Sequence, residues 1–274
     1  MPELPEVETL RQSLARHLPG RRIIGISVRQ PRLRERVNAA RLRRLIVGRK
    51  VCGLRRRAKY LLVDLEDDSV LIVHLGMSGR LSLSTPRAPL HPHDHIRFRL
   101  DDGRELRFRD PRRFGLIDAL TAAQAQTDAR LARAGREPLD PTLRADWLWR
   151  SSRGVKRAIK TWLMDGGVVA GLGNIYANEA LFRAGIRPTR RAGRVRRDEW
   201  PSLLRAVRAV LRSAIRQGGT TLSDFADAEG TEGYFQVRLL VYDRAGSPCR
   251  RCATPIRRIV LGQRSSFYCP RCQR

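Results

Sequence analysis

The chain has 274 residues, long enough for more than one buried core, and its 55 basic against 27 acidic side chains give a net charge of +28. That excess excludes an ordinary balanced surface and points to a polyanionic partner, nucleic acid in preference to membrane. No apolar run reaches the ~18 residues of a membrane span and no signal-peptide core follows Met1, so the chain is expected to be cytosolic, or nucleoid-associated in a bacterium, without membrane contact; it is also expected to be a monomer.

The chain opens Met1-Pro2-Glu3-Leu4-Pro5-Glu6-Val7-Glu8. Removing Met1 leaves Pro2 as a secondary amine titrating near ~8, which attacks electrophilic carbon when unprotonated, and Glu3 sets a proton-moving carboxyl beside it. A proline before a helix is also ordinary punctuation, and these residues alone leave both readings open. Val7, Leu10, Leu14 and Leu18 recur at helical spacing, with Glu6 and Glu8 in the first turn and Pro19-Gly20 as the stop. Pro2 and Glu3 then stand at the positive end of a helix dipole.

β-patterned runs follow at Arg22–Val28, Ala58–Leu65, Val70–Leu75, Ile96–Leu100 and Glu105–Arg109, with Asp101-Asp102-Gly103 as a hairpin turn. They predict a β-sandwich or barrel-like domain with the first helix against it. Residues 121–141 read as helix plus linker, and an all-α region sets in near 141, with Leu203, Val207, Val210, Leu211 and Ala214 on one helix face. Gly218–Tyr234 lacks periodicity and reads as a mobile loop. Residues 240–274, with eight arginines and one aspartate, read as a compact basic module.

Cys249-x-x-Cys252, sixteen residues, then Cys269-x-x-Cys272 is spacing for a tetrahedral structural Zn2+ closed by four thiolates. A cytosolic setting disfavours disulfides, and the duplicated spacing disfavours a redox pair. Cys52, the odd cysteine, is expected as a small buried apolar residue. Only Lys50, Lys59, Lys156 and Lys160 are lysines, so a retained lysine suggests a compact or titratable amine, although Lys50 fits chance. Gly171-Leu172-Gly173-Asn174 lacks the third glycine of a dinucleotide fingerprint. It reads as a helix-opening turn offering backbone N–H groups and Asn174 to a phosphate, with Lys156 and Lys160 upstream, or else as a plain helical turn. His91, His93 and His95 around Asp94 suit a phosphate contact better than a metal. Asp110-Pro111-Arg112-Arg113-Phe114-Gly115 and Gly76-Met77-Ser78-Gly79 carry side chains able to wedge into a base stack, or equally to fill a core.

Taken together these stretches resemble the bacterial formamidopyrimidine-DNA glycosylase (8-oxoguanine DNA glycosylase) family. The resemblance spans the chain: the start, Arg-Arg-Ala-Lys-Tyr-Leu-Leu at 56–62, His-Leu-Gly-Met-Ser-Gly at 74–79, Asp-Pro-Arg-Arg-Phe-Gly at 110–115, Gly-Asn-Ile-Tyr at 173–176, Gly-Gly-Thr-Thr-Leu at 218–222 and the final finger. It implies an α+β multidomain fold. A catalytic N-terminal β-sandwich with flanking helices spans 1–130, a helix-two-turn-helix DNA-binding domain 131–239 with its motif at 154–178, and a β-hairpin zinc finger 240–274. It further implies a base-excision-repair enzyme, both glycosylase and abasic-site lyase, acting on duplex DNA with oxidised purines or abasic sites. Its single structural Zn2+ would sit on Cys249, Cys252, Cys269 and Cys272, with no organic cofactor.

By the same resemblance Pro2 is the nucleophile, Glu3 the proton donor, Lys59 the β-elimination lysine and Arg264 the δ-elimination arginine. Arginine donates protons poorly, so phosphate binding and charge stabilisation suit Arg264 better. His93, Arg112, Arg153, Lys156, Lys160 and Asn174 match DNA-contacting positions, while Met77, Arg112 and Phe114 match the trio that fills the duplex after a nucleotide flips out. Ser223 stands where relatives often carry a basic residue, in the loop that closes over the flipped base, so lesion preference transfers least. Two rivals remain: an endonuclease VIII type acting on oxidised pyrimidines, whose usual start has glycine at the position of Leu4, and a noncatalytic zinc-finger DNA-binding protein, which leaves Pro2-Glu3 unexplained.

Overall fold

The computed structural model describes residues 2–219 and 239–274. Most of the loop expected at 218–234, Ser223 included, lies outside the described residues. The chain forms two compact units, Met1–Ala132 with Gln217–Gln236, and Arg133–Arg216 with Val237–Arg274.

In the first unit helix α1, Leu4–Leu14, buries Leu4, Val7, Leu10 and Leu14, the apolar face that the sequence spacing predicts. It ends before the expected Pro19-Gly20 stop, capped at Ala15, and Leu18 is buried through a turn whose N–H donates to Leu14 O at 2.9 Å. Two antiparallel four-stranded sheets follow. The first runs β1 (Ile23–Val28), β6 (Asp94–Leu100), β7 (Glu105–Arg109), β5 (Arg80–Ser84). The second runs β2 (Val51–Arg57), β3 (Tyr60–Leu65), β4 (Ser69–His74), β8 (Leu116–Thr121). Ile96, Phe98, Leu106 and Phe108 of the first sheet share one core with Leu61, Val63, Leu71 and Val73 of the second, a sandwich closed by α1 and by helix α2 (Ala39–Ile46). The other face of the second sheet packs Leu62, Ile72, Leu116 and Leu120 with Ala125 of α3 (Ala122–Thr127) and Leu131 of α4 (Ala129–Ala132).

Strands β2, β5 and β8 and helix α2 are additions to the sequence reading, each with a reason. A register shift between Val51 and Gly53 breaks the alternation of β2, leaving only Val51 and Leu54 buried among arginines. β5 is short and buries only Leu81 and Leu83. β8 faces two cores, Ile117 and Ala119 in one and Leu116 and Leu120 in the other, so period two disappears. α2 buries only Leu42 and Ile46, and its start signal is Asn38, whose side chain accepts from Arg41 N at 2.9 Å.

In the second unit α5 (Ala145–Ser152), α6 (Ile159–Leu163), α7 (Asn174–Ala184) and α8 (Glu199–Arg216) precede the hairpin β9 (Arg257–Leu261) and β10 (Arg264–Tyr268). α8 buries the expected Leu203, Val207, Val210, Leu211 and Ala214, and Trp162 meets Trp200 edge to face at 5.4 Å. The helical segment and the finger belong to one unit because Phe182 of α7 shares a cluster with Val241, Ile256, Phe267, Cys249 and Cys269. A module this small lacks the apolar area for a core of its own.

Candidate functional site

At the start of α1, Glu3 is the N-cap in extended geometry (φ −108°, ψ −168°) and a reciprocal capping box joins it to Glu6. The Glu3 N–H donates to Glu6 Oε2 at 2.8 Å, and both side chains are buried, at 2% and 1% exposure. Gly219, at φ +93°, lies against this cap: a Cβ there would stand 2.9 Å from Glu6 Oε1. Pro2, half-buried, therefore precedes a helix terminus whose first turn is fixed by two carboxylates. Farther along α1, burial pushes the Glu8 carboxyl up, but the Arg11 and Arg56 guanidiniums outweigh it and hold it below the usual carboxylate range.

Lys59 sits in the two-residue turn joining β2 to β3, closed by the Arg57–Tyr60 pair. Ala58 beside it is left-handed, at φ +52°, a conformation that costs a non-glycine residue ~1 kcal/mol or more. Arg56 braces the turn, donating from Nη1 to Ala58 O at 3.0 Å and from Nε to Glu8 Oε2 at 3.2 Å, so the lysine turn is tied to α1.

The two loops expected to carry wedge side chains lie after β4 and after β7. Met77 and Phe114 are exposed apolar side chains, at 36% and 46%, and Arg112 stacks over the Phe114 ring 5.0 Å from its centroid. Among the three histidines, His91 and His93 are exposed and His95 is buried, its Nε2 donating to Asp110 O at 2.8 Å. His74 is kept neutral: burial, aided by the Arg34 and Lys59 charges, lowers it to about 4, and its Nδ1 accepts from Gly76 N at 3.0 Å.

In the second unit Gly171 (φ +76°) turns the chain and Gly173 caps α7, so Asn174 opens that helix as expected. Lys156 is exposed. Lys160, expected beside it as a phosphate contact, is instead buried at 1%, its Nζ donating to Ser265 O at 2.9 Å and Ser266 Oγ at 2.6 Å. Its place on α6 turns it toward the hairpin. Arg153 is exposed but committed locally, donating to Trp149 O at 3.2 Å and Val195 O at 3.1 Å. Arg264 starts β10, exposed, just past a turn with Gly262 at φ +53° and Gln263 at φ +59°. Sequence reasoning passed over Asn178 and Glu179, both buried. Asn178 donates to Asn174 O at 2.7 Å and accepts from Phe267 N at 2.8 Å; Glu179 Oε1 accepts from Val241 N at 2.9 Å and Tyr242 N at 3.0 Å. Polar residues in a helix give no sequence signal of such partners.

The sulfurs of Cys249, Cys252, Cys269 and Cys272 lie within 4.8 Å of one another, the one such metal-binding group among the described residues. Separations of 3.9 Å (Cys249–Cys272), 3.5 Å (Cys252–Cys269) and 3.4 Å (Cys272–Cys252) are close to the ~3.8 Å edge of a tetrahedron with Zn–S near ~2.3 Å. Backbone N–H groups of Arg251 and Cys272 donate to Cys249 and Cys269 sulfurs at 3.4 Å each, suiting thiolates. A Thr254 hydrogen bond lowers the Cys252 thiol, whereas burial raises that of Cys272; a bound cation would favour the thiolate form of all four. The donor set fits a structural Zn2+. Cys52, expected to be buried, is exposed, because it stands on edge strand β2 at the register shift.

Fold and site define a class: a β-sandwich with a proline before its first helix, a helical region opened by a glycine-rich turn, and a hairpin finger closed by four cysteines. Family models match residues 1–117 (formamidopyrimidine-DNA glycosylase N-terminal domain), 134–226 (the H2TH domain of the same glycosylase) and 246–274 (zinc finger found in FPG and IleRS). Proteins named formamidopyrimidine-DNA glycosylase from Thioalkalivibrio sulfidiphilus and Ralstonia nicotianae are 52% and 50% identical, with both chains covered in full. Among solved structures, the MutM (FPG) protein of Thermus thermophilus is 38% identical with a TM-score of 0.88, over 99% of this chain and 98% of that one. A Lactococcus lactis FPG mutant in complex with Fapy-dG-containing DNA is 32% identical with a TM-score of 0.92, over 100% of both chains. The chain belongs to the formamidopyrimidine-DNA glycosylase family.

Proposed function

We propose that this chain is a bifunctional DNA glycosylase and abasic-site lyase that removes oxidised purines, 8-oxoguanine and formamidopyrimidines, from duplex DNA in bacterial base excision repair. The observation that carries the reading is the capped start of α1, which sets Pro2 and the buried Glu3 together at a helix N-terminus. Family membership supports it, as do the DNA complexes of relatives, one holding Fapy-dG and another an abasic site.

Once Met1 is removed, the Pro2 amine is a nucleophile; while Met1 stays attached that nitrogen is an amide and is inert. The helix dipole favours the unprotonated amine. Its lone pair forms the bond to C1′ as the C1′–N bond breaks, the base leaving with the glycosidic electron pair and taking up the proton that the proline nitrogen gives up. Opening of the C1′–O4′ bond gives an iminium, and Glu3 delivers the proton that O4′ takes up. Loss of a C2′ proton then expels the 3′ phosphate, and a second elimination expels the 5′ phosphate. Lys59 is the amine for the first elimination, and Arg264 stabilises phosphate charge in the second. His93, Arg112, Arg153, Lys156 and Asn174 contact DNA; Met77, Arg112 and Phe114 fill the duplex gap. Arg153, already bonded to two carbonyls, has fewer donors to give. The zinc, held by Cys249, Cys252, Cys269 and Cys272, folds the finger that presents Arg264 and takes no part in bond making. The work divides among 1–130, 131–239 and 240–274. The bacterial cytoplasm, at the nucleoid, is the proposed location; bacterial relatives support it, and no helix of the described residues is long and apolar enough to cross a membrane.

A cleavage panel tests the substrate class. Duplexes carrying 8-oxoguanine, a formamidopyrimidine, an oxidised pyrimidine or an abasic site should be cut, with the oxidised pyrimidine the poorest. Preference for the pyrimidine would favour the endonuclease VIII type, and binding without cleavage would favour a noncatalytic protein.

A further inference from the structure

Asp110 has no exposure to solvent, and all its polar atoms are engaged, with both side-chain partners bordering a residue of the wedge. Its Oδ1 accepts from Ser78 Oγ at 2.6 Å and its Oδ2 from Gly115 N at 2.7 Å. Its carbonyl takes His95 Nε2 at 2.8 Å and Arg113 N at 3.1 Å, and its own N–H donates to His93 O at 3.1 Å. Ser78 Oγ in turn accepts from Arg112 N at 3.3 Å. Met77 therefore neighbours a clamped Ser78, Arg112 is held by its backbone, and Phe114 precedes a clamped Gly115.

The two loops also interlock without side chains. Gly76 is at φ +64°, and a Cβ there would stand 2.4–2.5 Å from the backbone of Phe114 and Gly115. A Cβ on Gly115 would lie 2.5 Å from Phe108 Cζ. At Gly76 the obstacle is backbone, which no side-chain movement relieves, so the Met77 loop approaches its partner this closely only with glycine there; at Gly115 the obstacle is the buried Phe108 ring. Arg113 in the same loop is left-handed, at φ +55°, a strained conformation that the surrounding hydrogen bonds hold.

We infer that Asp110 and Ser78 are positioning residues that lock the Met77 loop and the Arg112–Phe114 loop into one rigid wedge, so that re-closure of the opened duplex is opposed by a preformed surface. The inference rests on the proposed role of Met77, Arg112 and Phe114 as the gap-filling trio. A side chain entering a base stack gains only what it does not lose in ordering itself, and a locked wedge has little left to lose. The lock matters where a stacked, paired base must be displaced, and little where the base is already missing.

The test is single-turnover kinetics of Met1-processed, zinc-loaded protein on two matched duplexes, one with 8-oxoguanine opposite cytosine and one with a preformed abasic site. Ser78→Ala should slow base excision about tenfold or more while leaving abasic-site cleavage within about twofold, and Ser78→Thr should restore excision. 2-Aminopurine beside the lesion should show a matching loss of the fluorescence rise that reports duplex opening. Met77→Ala and Phe114→Ala separate the two layers of the argument. If they slow excision and Ser78→Ala does not, the clamp is wrong and the wedge stands. If neither they nor Ser78→Ala slow it, the wedge reading itself fails and the clamp with it. Equal losses on both duplexes in Ser78→Ala would show a general structural role and overturn the inference.

Discussion

Lys156 and Lys160 are one helical turn apart in sequence and opposite in environment, which makes them the sharpest comparison at the residue scale. Exposed Lys156 should behave as a phosphate contact: Lys156→Ala should weaken DNA binding and reduce the slope of log K against log salt by about 0.9. Buried Lys160 should not. Lys160→Met should leave that slope unchanged and destabilise the protein by ~1–3 kcal/mol, read by urea unfolding, because Ser266 Oγ and Ser265 O lose their donor. A reduced salt slope in Lys160→Met would contradict the assignment. His74 gives a pH signature. It titrates at about 4 when folded against 6.5 for the ordinary group, so between these values the unfolded chain binds more protons. Its contribution is full above pH 6.5 and is lost as pH falls toward about 4, by up to ~3 kcal/mol. His74→Asn, which keeps an acceptor for Gly76 N without the titration, should flatten that part of the stability profile; an unchanged profile would rule the histidine out. Residue type and motif order made Pro2, Glu3, Lys59 and the four cysteines legible. Burial, which motif order does not encode, separates Lys160 from Lys156 and gives Asp110, Ser78 and Asn178 their partners.

At the scale of elements, legibility followed burial geometry. α1 and α8 each bury the apolar positions that recur at helical spacing, although α1 stops at Leu14 and Leu18 is buried from the turn that follows. β8 alternates poorly because it is buried on both faces, and β2 because a register shift interrupts it. The finger shows the same dependence on neighbours: its apolar residues, Cys249 and Cys269 among them, pack with Phe182 of α7, and the four sulfurs close the module. Chelating the zinc should therefore release amide protection across Arg264–Tyr268, leave α1 protected, and abolish DNA binding through loss of the Arg264 hairpin. Unchanged affinity after verified zinc loss would show that the hairpin holds without metal.

For the molecule as a whole, a net charge of +28 makes DNA binding steeply salt-dependent, but charge alone suits any DNA-binding protein. What singles out an enzyme is the chain start, where a capping box of two buried carboxylates holds the residue after Pro2 at a helix N-terminus. The most direct measurement is borohydride trapping on duplex DNA carrying 8-oxoguanine, comparing Met1-processed protein, protein retaining Met1, and a processed Pro2→Gly variant. The account predicts a stable covalent adduct at Pro2 with the processed protein, identified by peptide mass, none with Met1 retained, and loss of that proline adduct in Pro2→Gly. An adduct of equal yield with Met1 in place, or one mapping to Lys59, would contradict it.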